Sequence, residues 1–91
     1  MGSSSPPPPP PPSIQLSTTV QTQPIAGIVL NWTGASGANV DFYQNGVLFK
    51  TVLNDGTHLN SKGVVAGSTY TYKVCQQGTN TCSNTVATTM Q

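Results

Sequence analysis

After Ser13, short stretches of the chain set apolar side chains at every second position, and none sustains the three-and-four spacing of an amphipathic helix. The clearest stretch is Gly27 to Thr33, where Ile28, Leu30 and Trp32 alternate with Val29, Asn31 and Thr33. An extended chain with that pattern has one apolar face, and here that face carries the indole. The same alternation sets Val40 and Phe42 on one face of Asn39 to Gln44, and Tyr70, Tyr72 and Val74 on one face of Thr69 to Gln76. Further strands are predicted over Ile14 to Thr22, Val47 to Leu53, a short segment around Thr57 to Asn60, and Thr81 to Thr89. Turn residues punctuate them: Pro24 with Gly27, Gly34-Ala35-Ser36-Gly37, Asn54-Asp55-Gly56, Ala66-Gly67-Ser68, and Gln77 to Asn80. Asn45-Gly46 is the strongest local signal, because a type I′ hairpin turn needs positive φ at both central residues. Seven short strands without a helix predict an all-β sandwich of two sheets. Its expected core holds Leu30, Trp32, Val40 and Phe42 from the first half, and Tyr70, Tyr72 and Val74 from the second.

The first twelve residues stand apart. Pro6 to Pro12 is an unbroken proline run, in which every residue fixes φ and lacks an N–H, so it adopts polyproline II. At about 3.1 Å per residue it spans roughly 20 Å and acts as a semi-rigid spacer after the flexible Ser3-Ser4-Ser5. A groove-binding ligand of SH3 or WW type is the alternative, and it needs an intracellular signalling setting that nothing else supports. Met1-Gly2-Ser3-Ser4 reads as the start of an excised fragment, any signal peptide belonging to a longer parent. Residues 1–12 are thus a Ser/Pro-rich linker, and residues 13–91 the sandwich.

Charge excludes several partners. Only 5% of the chain is charged, with no Arg and no Glu, and the net charge is +1. Steering toward a nucleic acid or an anionic membrane requires clustered cations, and Lys50, Lys62 and Lys73 are scattered along the sequence. No apolar run approaches the length of a membrane span. The expectation is a monomer with neither nucleic acid nor membrane as partner. Abundant Ser, Thr, Asn and Gly with few charges suits a secreted, extracellular protein.

Cys75 and Cys82 are the only cysteines. Their even number, close spacing and the secreted character of the chain favour a disulfide, with two buried free thiols as the alternative. If Gln77 to Asn80 forms a four-residue loop, Gln76 opposes Thr81 and Cys75 opposes Cys82; a bulge would shift that register by one. Two cysteines and a distant His58 cannot close a zinc site, so no metal is expected.

Candidate chemistry is sparse. Glycoside hydrolysis needs two positioned carboxylates, and only Asp41 and Asp55 exist. Asp41 alternates with Val40 and Phe42 and is expected to face solvent, while Asp55 sits in a turn. His58 lies near Asp55 in sequence, but no nucleophile elbow or oxyanion loop accompanies it. A calcium site at Asn54 and Asp55 would hold one carboxylate and bind weakly. Asn31-Trp32-Thr33 is a glycosylation sequon within a strand. The chain is therefore expected to be no enzyme, with no catalytic residue and no cofactor. Sugar binding by stacking needs exposed rings, and only Tyr43 and Phe49, flanking the Asn45-Gly46 turn, are free of the inward faces. They are the candidate ligand contacts, with packing on the sheet or on a neighbouring module as the alternative.

These residues also carry a family resemblance. Leu30-Asn31-Trp32 is similar to the second-strand motif of fibronectin type III domains, whose Trp packs in the core. Val64-Val65-Ala66-Gly67-Ser68-Thr69-Tyr70 resembles their leucine-to-tyrosine corner, with Val64 in the leucine place, Ala66 in the proline place and Tyr70 as the corner tyrosine. Tyr70-Thr71-Tyr72-Lys73-Val74 resembles the sixth strand, and Ser83-Asn84-Thr85-Val86 the start of the seventh. The likeness covers about Ile14 to Thr89 and points to the bacterial, disulfide-containing kind appended to secreted hydrolases such as chitinases, other polysaccharide-degrading enzymes and proteases. It implies a seven-stranded immunoglobulin-like β-sandwich with one hairpin disulfide, and a non-catalytic accessory or spacer module covalently linked to a catalytic domain. Two rival functions follow from the same residues: a weak carbohydrate-binding module that takes a polysaccharide through Tyr43 and Phe49, and an adhesin or surface-protein repeat that binds another protein. The matching residues are core and turn residues, which specify a fold better than a function.

Overall fold

The computed structural model describes residues 12–91; the linker predicted for residues 1–12, apart from Pro12, lies outside them. Seven strands follow in order: β1 (Gln15–Gln21), β2 (Gly27–Thr33), β3 (Asn39–Gln44), β4 (Val47–Leu53), β5 (Thr57–Asn60), β6 (Thr69–Gln76) and β7 (Val86–Thr89). They form two antiparallel sheets, β1-β2-β5 and β4-β3-β6-β7. The fourth strand stays hydrogen-bonded to the third, giving a three-plus-four sandwich instead of the four-plus-three split of constant-type immunoglobulin domains. The all-β, seven-stranded sandwich with a hairpin disulfide is the fold expected.

Period-two alternation builds the core. Ile28, Leu30 and Trp32 from β2 face Val40 and Phe42 from β3 and Tyr70, Tyr72 and Val74 from β6, all buried. Asn45 and Gly46 make the tight turn, with φ of 54° and 81°, the positive pair that a two-residue hairpin twisting with its strands demands. That turn is also docked: Asn45 N–H donates to Thr71 C=O (2.9 Å) and Thr71 N–H donates to Asn45 Oδ1 (3.0 Å).

Polar groups inside the sandwich are paired. Trp32 Nε1–H donates to Asn54 Oδ1 (2.9 Å), and the Asn54 amide N–H groups donate to Ala35 and Gly37 carbonyls (2.9 and 3.0 Å). One turn residue thus holds the buried indole and the β2–β3 loop together. Between the sheets, Asn60 Nδ2 donates to Tyr72 OH (3.0 Å) and to Gln44 Oε1 (2.8 Å), and Tyr72 OH donates to Gln44 Oε1 (3.1 Å). Burial raises the Tyr72 hydroxyl pKa above its ordinary value, with the Asn60 bond pulling the other way.

The last strand is shorter than its apolar pattern predicts. Cys82 makes an isolated bridge to Cys75, and strand pairing resumes only at Val86. In the gap, Ser83 Oγ accepts from Val74 N–H (3.0 Å) and donates to Asn84 C=O (2.8 Å). Asn84 reaches the other sheet, accepting from Leu16 N–H (2.8 Å) and donating to Leu16 C=O (3.0 Å). A side chain that satisfies both main-chain groups of a remote strand draws its own backbone out of the ladder. Thr18 and Thr88 hydroxyls bond across the same seam, which closes the β1–β7 side of the sandwich.

Candidate functional site

The disulfide joins Cys75 to Cys82 with Cα atoms 3.9 Å apart, and Gln76 N–H donates to Thr81 C=O (2.9 Å) beside it. This is the register in which Gln76 opposes Thr81 and Cys75 opposes Cys82. Cys75 lies on the outer face of the second sheet, next to Asp41 in the β3–β6 ladder.

Asp41 departs from expectation. Its alternation does turn it outward, but it is only 8% exposed. Thr51, opposite it on β4, donates its hydroxyl to Asp41 Oδ1, and Gly78 N–H from the disulfide hairpin donates to Oδ2 (3.3 Å). The carboxylate is a brace between a strand and a loop, because the Gln77–Asn80 turn folds back over the sheet. Asp55 accepts from Thr57 N–H (3.1 Å) as an Asx turn. Asn54, the other calcium candidate, has its oxygen engaged by the indole.

The two candidate ligand rings have different neighbours. A β-bulge in the β3–β4 ladder places Phe42 opposite Lys50 and Tyr43 opposite Leu48, leaving Phe49 as the extra residue. The bulge re-aims Phe49 toward the side of the sandwich. Its ring centroid lies 5.4 Å from that of Phe42, and its edge is positioned against Gly63. Tyr43 stays on the outer face of the second sheet, half-buried, with Lys73 Nζ 4.8 Å from its ring centroid. A sugar stacking on Tyr43 from that side meets the ammonium first.

The structure gathers groups that sequence spacing left apart. At the seam between β4 and β5, Phe49, Lys50, His58, Asn60 and Lys62 line a cleft of about 120 Å³. His58 packs its imidazole against Phe42, with centroids 5.2 Å apart. Burial lowers its pKa below 6.5, Lys50 lowers it further, and Asp55 acts in the opposite sense without reversing them. No local motif announced this grouping; the bulge and the sheet assignment of β4 create it. A wider depression of about 460 Å³ lies over Gln15, Ser17, Asn31, Thr33 and Gly56, and no titratable side chain lines it.

The chain matches no known family model, curated protein or solved structure. Its functional reading therefore stands on its own residues. No group of three or more His, Cys, Asp or Glu residues spaced to hold a metal ion occurs among the described residues. No helix of the described residues is long and apolar enough to cross a membrane, and the disulfide is compatible with an extracellular protein.

At the other end of the molecule, Val65 N–H donates to Tyr70 OH (2.8 Å). The tyrosine ring is buried and its hydroxyl ties down the segment leading into its own strand. This is the hydrogen bond by which a tyrosine corner locks the turn between sheets.

Proposed function

We propose that this chain is a fibronectin type III-like accessory module, non-catalytic, secreted, and tethered in its parent protein to an enzyme that acts on polysaccharide or protein. The observation that carries the reading is the Tyr70–Val65 corner, set in a seven-stranded, three-plus-four sandwich. It supports the family resemblance at the segment where Val64 and Ala66 stand in for the usual leucine and proline. The residues able to do chemistry are committed elsewhere: Asp41 to Thr51 and Gly78, Asp55 to Thr57, and His58 to the Phe42 ring. In this role the module is a stable body within its parent protein. It sets the effective concentration of its catalytic neighbour near an insoluble substrate.

Two measurements test the reading. Amide spectra of the labelled protein titrated with chitin and cellulose oligosaccharides are expected to stay unchanged; shifts centred on Tyr43 and Phe49 transfer the role to carbohydrate binding. The coding sequence that flanks the chain in its parent is expected to encode a hydrolase domain. Tandem copies of the module in its place would sink the accessory role in favour of adhesion.

A further inference from the structure

We infer that the open edge of β4, together with the cleft beside it, is a docking surface for an extended acidic segment of another polypeptide. Among the described strands β4 pairs only with β3, so the outward main-chain groups of Val47 to Leu53 have no strand partner. A row of N–H and C=O groups at strand spacing is satisfied by another extended backbone. The opposite seam is treated differently: Asn84 bonds both main-chain groups of Leu16, and Thr18 bonds Thr88. No side-chain hydrogen bond joins β4 to β5 among the described residues.

The side chains on this edge are those of an interface. Of the six large apolar residues left exposed, four lie on β4: Val47 at 67%, Leu48 at 51%, Phe49 at 43% and Leu53 at 68%. Isolated exposed apolar residues are ordinary, but four fall on this one edge strand, Leu48 and Leu53 on its outer face and Phe49 turned toward the cleft.

Charge selects the occupant. Two of the three lysines, Lys50 and Lys62, line the cleft, and neither Asp41 nor Asp55 does. Asp55 is near enough to His58 to favour its charged form, yet it is committed to the Thr57 turn. A second copy of this chain is a poor fit. Antiparallel self-pairing about the middle of β4 sets Lys50 beside its counterpart, and like charges across a ladder destabilise it. An incoming strand with carboxylates on alternate residues meets Lys50 and Lys62 with one face. Its other face places apolar side chains beside Leu48 and Leu53, which share the outer face with Tyr43 and Asn39.

The test uses the full chain and two capped heptapeptide probes, one alternating valine with glutamate and one alternating valine with lysine. Titration of the glutamate probe is expected to shift the amides of Val47 to Leu53 and Lys62. Changing Lys50→Gln together with Lys62→Gln is expected to weaken it at least fivefold. Lys73→Gln, remote from the cleft, leaves binding within twofold. Both lysines of the cleft are exposed, so the variants retain the fold, which the unchanged dispersion of core amides checks. Equal binding of the lysine probe, shifts centred away from β4, or concentration-dependent dimerisation through β4 in sedimentation each overturn the proposal.

Discussion

The Tyr70 hydroxyl sits 2.8 Å from the Val65 amide nitrogen, five residues upstream, and accepts a hydrogen bond from its N–H. Removing that oxygen deletes one hydrogen bond and leaves the ring in place. The bond is only part-buried, so the loss is taken as that of a net hydrogen bond. Tyr70→Phe is expected to cost about 1 kcal/mol, seen as a lower urea midpoint at unchanged slope. An unaltered midpoint removes the corner from the list of stabilising contacts.

Asn84 should be more sensitive than its partial exposure suggests. Asn84→Ala removes two hydrogen bonds to an edge strand and is expected to cost about 2 kcal/mol. Asn84→Asp is expected to be no milder, because a carboxylate accepts from Leu16 N–H but repels Leu16 C=O. Hydrogen exchange at Leu16 separates the two: its amide should exchange faster relative to Val74 in Asn84→Ala, which frees the N–H, and stay protected longer in Asn84→Asp, which still accepts from it.

Reduction of Cys75–Cys82 opens a short loop. The sequence separation is 7, and the chain-entropy relation then gives about 2.5 kcal/mol of lost stability. Thermal unfolding with and without reductant measures it. The same reduction should loosen the Gln77–Asn80 hairpin over Asp41, so exchange at Gly78 is expected to rise.

His58 makes stability depend on pH. Its folded pKa is depressed below 6.5 by burial and by Lys50, so the unfolded chain binds the proton more readily. The contribution is complete above the unfolded value and is lost as pH falls through the folded one. Unfolding free energy is expected to fall as pH drops from 7.5 to 5.5, and His58→Gln should flatten that slope. A wild-type slope retained in the variant assigns the dependence to another group.

Two glycines separate backbone strain from collision. Gly34 and Gly37 have φ of +88° and +93°, but a Cβ at Gly34 would lie 2.0 Å from the Ser13 carbonyl oxygen, whereas one at Gly37 meets open space. Gly37→Ala is expected to cost about 1 kcal/mol from the left-handed backbone alone. Gly34→Ala should cost at least twice as much, read from paired denaturant midpoints.

Most of the strand map was legible in the residues. β2, β3, β4 and β6 fall where alternation and turn chemistry place them, because Trp32, Phe42 and Tyr72 each sit one period-two step from another buried side chain. The Asn45-Gly46 turn was readable for a similar reason, since positive φ at two adjacent positions is a property of those residue types. The candidate site was much less legible. Phe49 follows the alternation in sequence but leaves it in space, because the bulge adds a residue on β4 that its own neighbours do not encode.

Local pattern, then, was enough to place most of the strands and their inward faces and to favour the Cys75–Cys82 pairing, since each depends on residues a few positions apart. The cover over Asp41, the Asn84 bridge to a strand 68 residues away, and the gathering of Lys50, His58 and Lys62 at one seam required the assembled sheets. Those contacts join side chains whose spacing along the chain carries no periodic signal, and they form only when strand order and sheet edges are in place.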